Sequence, residues 1–215
     1  MKYLRQYIRK ILLTEGMTTP NNLPKGIGVA IWTRPARDYA YIGYVLLDDK
    51  GNILQNLAPG LEEYENLLDS ETGEVPGYIH QSGIYGEINI EKMIDDEFDG
   101  TCDGAYQVHT SVASSGNGPL LYDLAIEFAT THGTGLIPSR SGVSQEAQKV
   151  WQKYINDRPD VKVFQCDDPN MTLDKGWYNS KSGSWINSPL SKRYSKNPER
   201  TRELLRLKKL VYVES

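Results

Sequence analysis

The chain has 215 residues, 39% of them hydrophobic and 24% charged, and a formal net charge of −4. This composition is typical of one globular domain, and it excludes a low-complexity chain or a protein that binds nucleic acid through general positive charge. No apolar run approaches the roughly 20 residues of a membrane-spanning helix, which predicts a protein that is not integral to a membrane.

The cysteines and histidines indicate no disulfide framework and no metal site. Cys102 and Cys166 are the only cysteines and form no Cys-x-x-Cys motif, and the three histidines are far apart without a His-Glu-x-x-His motif. We therefore expect no disulfide scaffold, no bound metal and a reducing cytosol as the environment.

Residues 1–15 predict a basic amphipathic helix, and residues 16–26 predict a linker. Apolar side chains recur at helical spacing on one face, and lysine and arginine occupy the other. The apolar positions are Tyr3, Leu4, Tyr7, Ile8, Ile11 and Leu12, and the basic ones are Lys2, Arg5, Arg9 and Lys10.

This segment resembles the capsid-targeting leaders of internal head proteins in T-even-type tailed phages. Their prohead proteases cleave after a Leu/Ile-x-Glu pattern, which Leu13-Thr-Glu15 matches. The resemblance implies removal of residues 1–15, contact with phage head proteins, and a location in the bacterial cytoplasm or the phage particle. A helix that stays docked on the domain is the alternative.

Residues 27–215 are predicted to form one domain, which begins with a sheet. Segments 27–33 and 39–47 are rich in β-branched and aromatic side chains, and a hairpin turn at 49–52 leads into a third strand. A short helix is expected at 62–68, whereas residues 77–90 show no clear period. The strands predict a mostly antiparallel sheet.

Acidic side chains dominate residues 61–100, where Lys92 is the only lysine or arginine. An acidic wall beside a cofactor cleft would favour a cationic amine as ligand. An ordinary solvated surface is the alternative.

Residues 104–137 predict a strand, a glycine loop, a helix and a short strand. The strand alternates two sets of side chains and leads into a loop that contains Gly116 and Gly118. Pro119 fits the first position of the helix, which carries an apolar stripe and ends at Gly133. Because such a helix start offers free N–H groups and the positive end of the dipole, the segment predicts a phosphate site.

The remaining chain predicts two helices and two strands. Ser144 is placed to cap a second helix, and residues 161–165 predict the next strand. A solvated basic helix is expected at 198–207, and residues 210–213 would close the sheet.

The glycine spacing excludes the two common nucleotide loops. The third glycine of a dinucleotide fingerprint is missing, and no Gly-Lys-Ser/Thr triplet completes a P-loop. Residues 113–121, Ala-Ser-Ser-Gly-Asn-Gly-Pro-Leu-Leu, instead resemble the pyrophosphate loop of the GNAT acetyltransferase superfamily, Gln/Arg-x-x-Gly-x-Gly/Ala, with Ala113 at the leading position. Ala147 and Trp151 resemble that family's next helix, Asn-x-x-Ala-x-x-x-Tyr, with tryptophan in place of tyrosine.

The resemblance implies an α/β (α+β) fold with a mixed, mostly antiparallel sheet flanked by helices, acetyl-CoA as cosubstrate and an amine as acceptor. Backbone groups of the strand and loop would hold the pantetheine and pyrophosphate of acetyl-CoA. The matching positions are Val112, Ser114, Ser115, Gly116, Asn117, Gly118 and Leu120. Pro119 removes one amide from this set. A glycine loop that binds no ligand is the alternative.

Two catalytic roles also follow from the resemblance. The tyrosine at the position of Trp151 often protonates the departing thiolate in that family, which indole cannot do, and Tyr154 one turn later is the candidate substitute. His109 is the candidate base for the attacking amine, followed by Glu87 and Glu91. Core packing for Tyr154 and a surface position for His109 are the alternatives.

We therefore predict acetyl-CoA dependent N-acetyl transfer by direct attack of an amine on the thioester. A non-catalytic GNAT-like protein carried in a phage virion is the alternative. It is favoured by Ala113, Pro119 and Trp151 at motif positions. Binding of coenzyme would separate the two functions.

Overall fold

The computed structural model describes residues 18–34, 38–57, 86–93, 102–114, 116–139, 143–166 and 188–214. Within these ranges the chain forms nine strands and three α-helices. The strands are β1 (Ile27–Arg34), β2 (Tyr39–Leu47), β3 (Ile53–Asn56), β4 (Gly86–Lys92), β5 (Tyr106–Ala113), β6 (Leu136–Ile137), β7 (Val161–Gln165), β8 (Lys192–Lys196) and β9 (Leu210–Glu214). The helices are α1 (Gly118–His132), α2 (Gln145–Asp157) and α3 (Glu199–Arg206). The predicted leader 1–15, the predicted helix 62–68 and Ser115 lie outside the described residues.

All nine strands belong to one sheet, in the order β7-β8-β6-β5-β4-β2-β1-β9, with β3 paired to β2. The pairs β5–β6 and β1–β9 are parallel. The other pairs are antiparallel. The predicted mixed, mostly antiparallel sheet flanked by helices is therefore confirmed.

Alternation along the strands separates the two faces of the sheet. Ile88 and Ile90 of β4 are fully buried in the main core, which also contains the apolar stripe of α1. Successive side chains of a strand point to opposite faces, so Glu87, Asn89 and Glu91 project from the face opposite α1. The face of β4 opposite α1 is therefore polar.

The described part of the predicted linker packs on the domain. Pro20 and Leu23 are buried, and Leu23 belongs to the main core. Lys209 donates through Nζ to the carbonyl of Leu23 at 2.6 Å. Residues 18–26 thus contribute to the packed structure.

A buried ion pair joins α1 to β8 and α3. Glu127 on α1 is fully buried and accepts a hydrogen bond from Lys196 Nζ at 2.7 Å. It also accepts from the backbone amides of Arg200 and Thr201, at 2.9 and 2.8 Å. These amides lie in the first turn of α3, whose N-cap residue Pro198 makes no side-chain cap. Glu127 therefore caps α3 from a neighbouring helix.

A disulfide joins Cys102 and Cys166, whose Cα atoms are 5.3 Å apart. Cys102 lies shortly before β5 and Cys166 directly follows β7, so the bond closes a segment that contains α1 and α2. The expectation of no disulfide was wrong, because the sheet brings together residues 64 positions apart. The expected reducing cytosol rested on that expectation and loses its support.

Loss of this disulfide should destabilise the fold. In the chain-entropy model, a bond that closes a loop of 64 residues stabilises by about 4 kcal/mol, because it restricts the unfolded chain. We expect the double variant Cys102→Ser/Cys166→Ser to lose about 2–4 kcal/mol of unfolding free energy in urea denaturation. Wild type with reductant should match the variant, and equal stability of oxidised and reduced protein would contradict the expectation.

Candidate functional site

The glycine loop forms a tight turn between β5 and α1. Gly116 has φ +86°, a left-handed conformation that glycine adopts without strain. Asn117 donates through its backbone N–H to the Ser114 carbonyl at 3.0 Å and through Nδ2 to Ser114 Oγ at 2.8 Å. The hydrogen bonds of Asn117 to Ser114 thus hold the end of β5 close to the start of α1.

Two neighbouring segments hold this loop in place. The Thr18 N–H donates to the Gly116 carbonyl at 3.0 Å, and Thr18 Oγ1 donates to Asn117 Oδ1 at 2.7 Å. On the other side, the Tyr44 hydroxyl donates to the Asn117 carbonyl at 2.9 Å. The loop is therefore positioned before any ligand arrives.

In the described part of the chain, no side chain caps the first turn of α1. Asn117 occupies the N-cap position but makes no capping hydrogen bond, because its side chain is bound to Thr18 and Ser114. Pro119 has no N–H, so Gly118 and Leu120 supply the amides that this turn can offer to an anion. The positive end of the helix dipole favours a negative ligand at the same place.

Strand β5 contains a β-bulge at His109. Asn89 of β4 pairs with Thr110, and Ile90 pairs with Val108, so His109 has no partner position on β4. A bulge bends the strand and is frequent beside active sites.

The other edge of β5 is open over most of its length in the described part of the chain. The neighbouring strand β6 pairs only with Tyr106 and Gln107. From Val108 to Ala113, which includes the predicted coenzyme residue Val112, no described strand lies beside this edge. Backbone hydrogen-bonding groups on that side are available to a ligand.

The bulge also places the hydroxyl groups of Ser111 and Tyr122 next to each other, a contact that the sequence alone did not predict. The alternation expected for residues 104–113 shifts after His109, so Ser111 faces α1. Its Oγ lies 2.9 Å from the hydroxyl oxygen of Tyr122 on α1. Burial raises the pKa of Tyr122 above its ordinary value. No role had been predicted for Tyr122 from the sequence.

His109 itself lies on the surface. Its Nε2 is 3.3 Å from Glu91 Oε2, and the two side chains are 65% and 46% exposed. Two of the three sequence candidates for a base therefore contact each other in solvent.

Tyr154 lies in the core, with 3% of its surface exposed. Its ring contacts Trp151 and Tyr194, and its hydroxyl donates to Asp123 Oδ1 at 2.8 Å. Burial is the main cause of a pKa well above the ordinary value of 10, and the nearby Asp123 carboxylate adds to it. A phenol held in this way is a weak acid, so the environment favours a packing role.

Glu87, the second sequence candidate for a base, is 2% exposed. It pairs across the sheet with Val112 of β5, which places it beside the predicted coenzyme strand. The Tyr41 hydroxyl donates to Glu87 Oε2 at 2.5 Å, and Asn56 Nδ2 donates to Tyr41 at 3.3 Å. Burial raises the pKa of Glu87, and the Tyr41 hydrogen bond opposes this rise.

Comparisons with protein-family models, with curated proteins and with solved structures found no match to this chain. None of the described helices is long and apolar enough to cross a membrane. Within the described ranges, no three His, Cys, Asp or Glu residues are grouped so that they could hold a metal ion. The features that point to a function are therefore the loop, β5 and the surroundings of Glu87.

Proposed function

We propose that this protein is a GNAT-like acetyltransferase that transfers the acetyl group of acetyl-CoA to an amine. The open edge of β5 next to the uncapped start of α1 is the observation that carries this proposal. The order of β4, β5, α1 and the parallel strand β6 agrees with the fold that the sequence resemblance implies.

Each part of the coenzyme has a matching feature. The amide groups of pantetheine can pair with the backbone of β5 at Val112, as an added strand would. The pyrophosphate is negatively charged and matches the amides of Gly118 and Leu120 at the helix start. The loop that joins these two features is held in place by Thr18 and Tyr44, which limits the entropy lost on binding.

The acetyl transfer would use Glu87 as base in this arrangement. Glu87 takes a proton from the ammonium form of the amine, and the neutral nitrogen attacks the acetyl carbon. The carbon–sulfur bond breaks with its electron pair on sulfur, and the nitrogen releases its second proton as the amide forms. The thiolate then takes up a proton to give coenzyme A. Tyr122, whose hydroxyl lies beside Ser111 of β5, is the candidate donor of that proton.

The surroundings favour Glu87 over His109 as the base. A general base works best when its pKa lies near the operating pH, and burial moves the pKa of Glu87 in that direction. Glu87 also lies opposite Val112, whereas the His109 side chain extends into solvent beside Glu91.

Calorimetric titration with acetyl-CoA tests the coenzyme site. Gly118→Leu should weaken binding of acetyl-CoA by about tenfold or more, because the leucine side chain fills the approach to the helix start. Alanine is the matched control: an added Cβ at Gly118 would lie 3.7 Å from the Ala113 Cβ, an ordinary contact, so this variant should fold normally and bind more tightly than the leucine variant. Acetylpantetheine, which lacks the pyrophosphate, should be insensitive to the leucine substitution.

No binding heat with wild type at millimolar acetyl-CoA would remove the acetyltransferase proposal. The second candidate, a non-catalytic GNAT-like protein of a phage particle, would then be favoured. Pro119 in the loop and the engagement of the Tyr154 hydroxyl by Asp123 support that candidate. It further requires that the chain isolated from phage particles begins at Gly16, which intact-mass measurement would detect.

A further inference from the structure

Asn89 presents a buried carbonyl oxygen on the polar face of β4, and no group in the described part of the chain donates to it. The residue is 2% exposed, and among the described residues Oδ1 has no hydrogen-bond partner, while Nδ2 donates to Thr110 Oγ1 at 2.8 Å. A buried unpaired acceptor is rare because removing it from water without replacing the lost hydrogen bond is unfavourable. Such an atom therefore points to a ligand that supplies a donor.

The neighbours of Asn89 indicate which donor fits. Glu87 and Glu91 lie two residues before and after it, on the same face of the same strand. Successive same-face positions are roughly 7 Å apart along a strand, a gap that a small group between two side chains can bridge. Three side chains thus present acceptor oxygens to one region, and two of them are carboxyl groups.

A primary ammonium group matches this set best. It carries three N–H donors and a positive charge, whereas an alcohol offers a single donor and a carboxylate or phosphate offers none. In the reverse amide orientation, Thr110 would donate to Asn89 Oδ1 and the amide nitrogen would lack a partner instead. An amide nitrogen cannot accept from an ammonium group, so the amine site requires the orientation of the structure, in which Nδ2 donates to Thr110 Oγ1 and Oδ1 is left as acceptor.

We propose that Asn89 positions the acceptor: its side chain hydrogen-bonds the ammonium group of a primary amine and holds the nitrogen beside Glu87. This inference rests on the proposed acetyl transfer and specifies its acceptor as a cationic primary amine. Glu91 lies on the far side of Asn89 and contributes negative charge to the same region. Asn89 acts through the position of the substrate nitrogen and takes no part in proton transfer.

Binding of butylammonium to the full chain, followed by NMR, tests this role without coenzyme. Butyltrimethylammonium has the same charge and no N–H donor. If hydrogen bonds dominate the affinity, it should bind at least about tenfold more weakly than butylammonium. Asn89→Leu should weaken butylammonium binding by about 10- to 100-fold, the range for a hydrogen bond to a charged group. Asn89→Asp keeps acceptor oxygens at this position, so this variant should bind butylammonium at least as well as wild type.

Stability separates this role from a structural one. Asn89→Leu removes a buried unpaired carbonyl together with one hydrogen bond to the exposed Thr110, so its melting temperature should stay close to that of wild type. Gln152→Leu on α2 makes the same chemical change away from the sheet and should alter neither binding nor folding. If Asn89→Leu does not fold, Asn89→Ala provides the same comparison.

Unchanged butylammonium binding in a folded Asn89→Leu or Asn89→Ala variant would overturn the inference, even if acetyl-CoA binds. Equal binding of butylammonium and butyltrimethylammonium would also overturn it. Asn89-dependent binding of butylammonium in a protein that does not bind acetyl-CoA would keep the amine site and reject the acetyltransferase proposal.

Discussion

Glu87→Gln should lower kcat/KM for acetyl transfer by about 10²- to 10⁴-fold, the usual scale of general base catalysis. Glutamine keeps the size of the side chain and can still accept the hydrogen bond from Tyr41. It cannot take a proton from the amine. Initial rates of thiol release from acetyl-CoA with a primary amine measure the effect.

The pH profile gives a second measure of the same role. Burial raises the pKa of Glu87 from its ordinary value of 4.5, and only the carboxylate acts as a base. Activity should therefore rise with pH through a midpoint above 4.5. Tyr39 and Tyr41 face the same region, and burial raises both pKa values above 10, so they stay neutral there. Glu87→Gln should lose this midpoint.

Folding should not explain the loss of activity. A carboxyl group whose pKa is raised in the folded state stabilises the fold below that pKa, and this contribution is lost as the pH rises through it. Glutamine cannot ionise, so the Glu87→Gln variant should be at least as stable as wild type at neutral pH. Urea denaturation of both proteins checks this expectation.

His109→Gln is the matched control, because His109 is the other candidate base on this part of the sheet. If Glu87 is the base, His109→Gln should keep kcat/KM within about threefold and retain the midpoint. If His109→Gln instead loses activity and the midpoint of the pH profile while Glu87→Gln keeps the kcat/KM of wild type, His109 is the group that accepts the proton.

Glu127→Gln should lower the free energy of unfolding by about 3–5 kcal/mol, the range for breaking a buried ion pair from one side. The Lys196 side chain is only 1% exposed, and it would then lie beside a neutral amide with the more exposed Asp160 carboxylate, 3.5 Å away, as its nearest remaining partner. The new amide group would also present N–H donors toward the backbone amides of Arg200 and Thr201, which need acceptors. Urea denaturation measures the loss.

Glu199→Gln is the control for this prediction. Glu199 also lies near Lys196, at 4.0 Å, but its side chain is 62% exposed. Exposed ion pairs contribute little to stability, so we expect Glu199→Gln to change the free energy of unfolding by no more than about 0.5 kcal/mol. If the free energy of unfolding of Glu127→Gln lies within about 1 kcal/mol of the wild-type value, the pair with Lys196 and the cap of α3 contribute little to stability.

Local patterns predicted most of the elements that surround the loop. The strands at 27–33, 39–47 and 161–165 and the helix that begins after Gly118 match β1, β2, β7 and α1. Ser144 caps α2 as expected, with its side chain accepting from the Ala147 amide. These elements were predictable because their signals, side-chain period and caps, lie within a few residues of each other.

Strands β4 and β8 were not predicted, for two different reasons. Residues 87–91 alternate strictly between polar and apolar side chains, a signal that the longer window of 77–90 obscured. In β8, Tyr194 is the only apolar side chain, so hydrophobic period carries no information. The buried Lys196 of this strand has its partner Glu127 69 positions away.

The sequence by itself determined the order of strand, glycine loop, helix and strand, and hence the candidate phosphate site at Gly118. Only the tertiary structure decided which side chains surround that site. The pairing of β4 with β2 and β5 places Glu87 next to Tyr41 and Val112, and the bulge at His109 arises from the same pairing. Such contacts depend on strand register and burial, which join distant segments and leave no local signal in the chain.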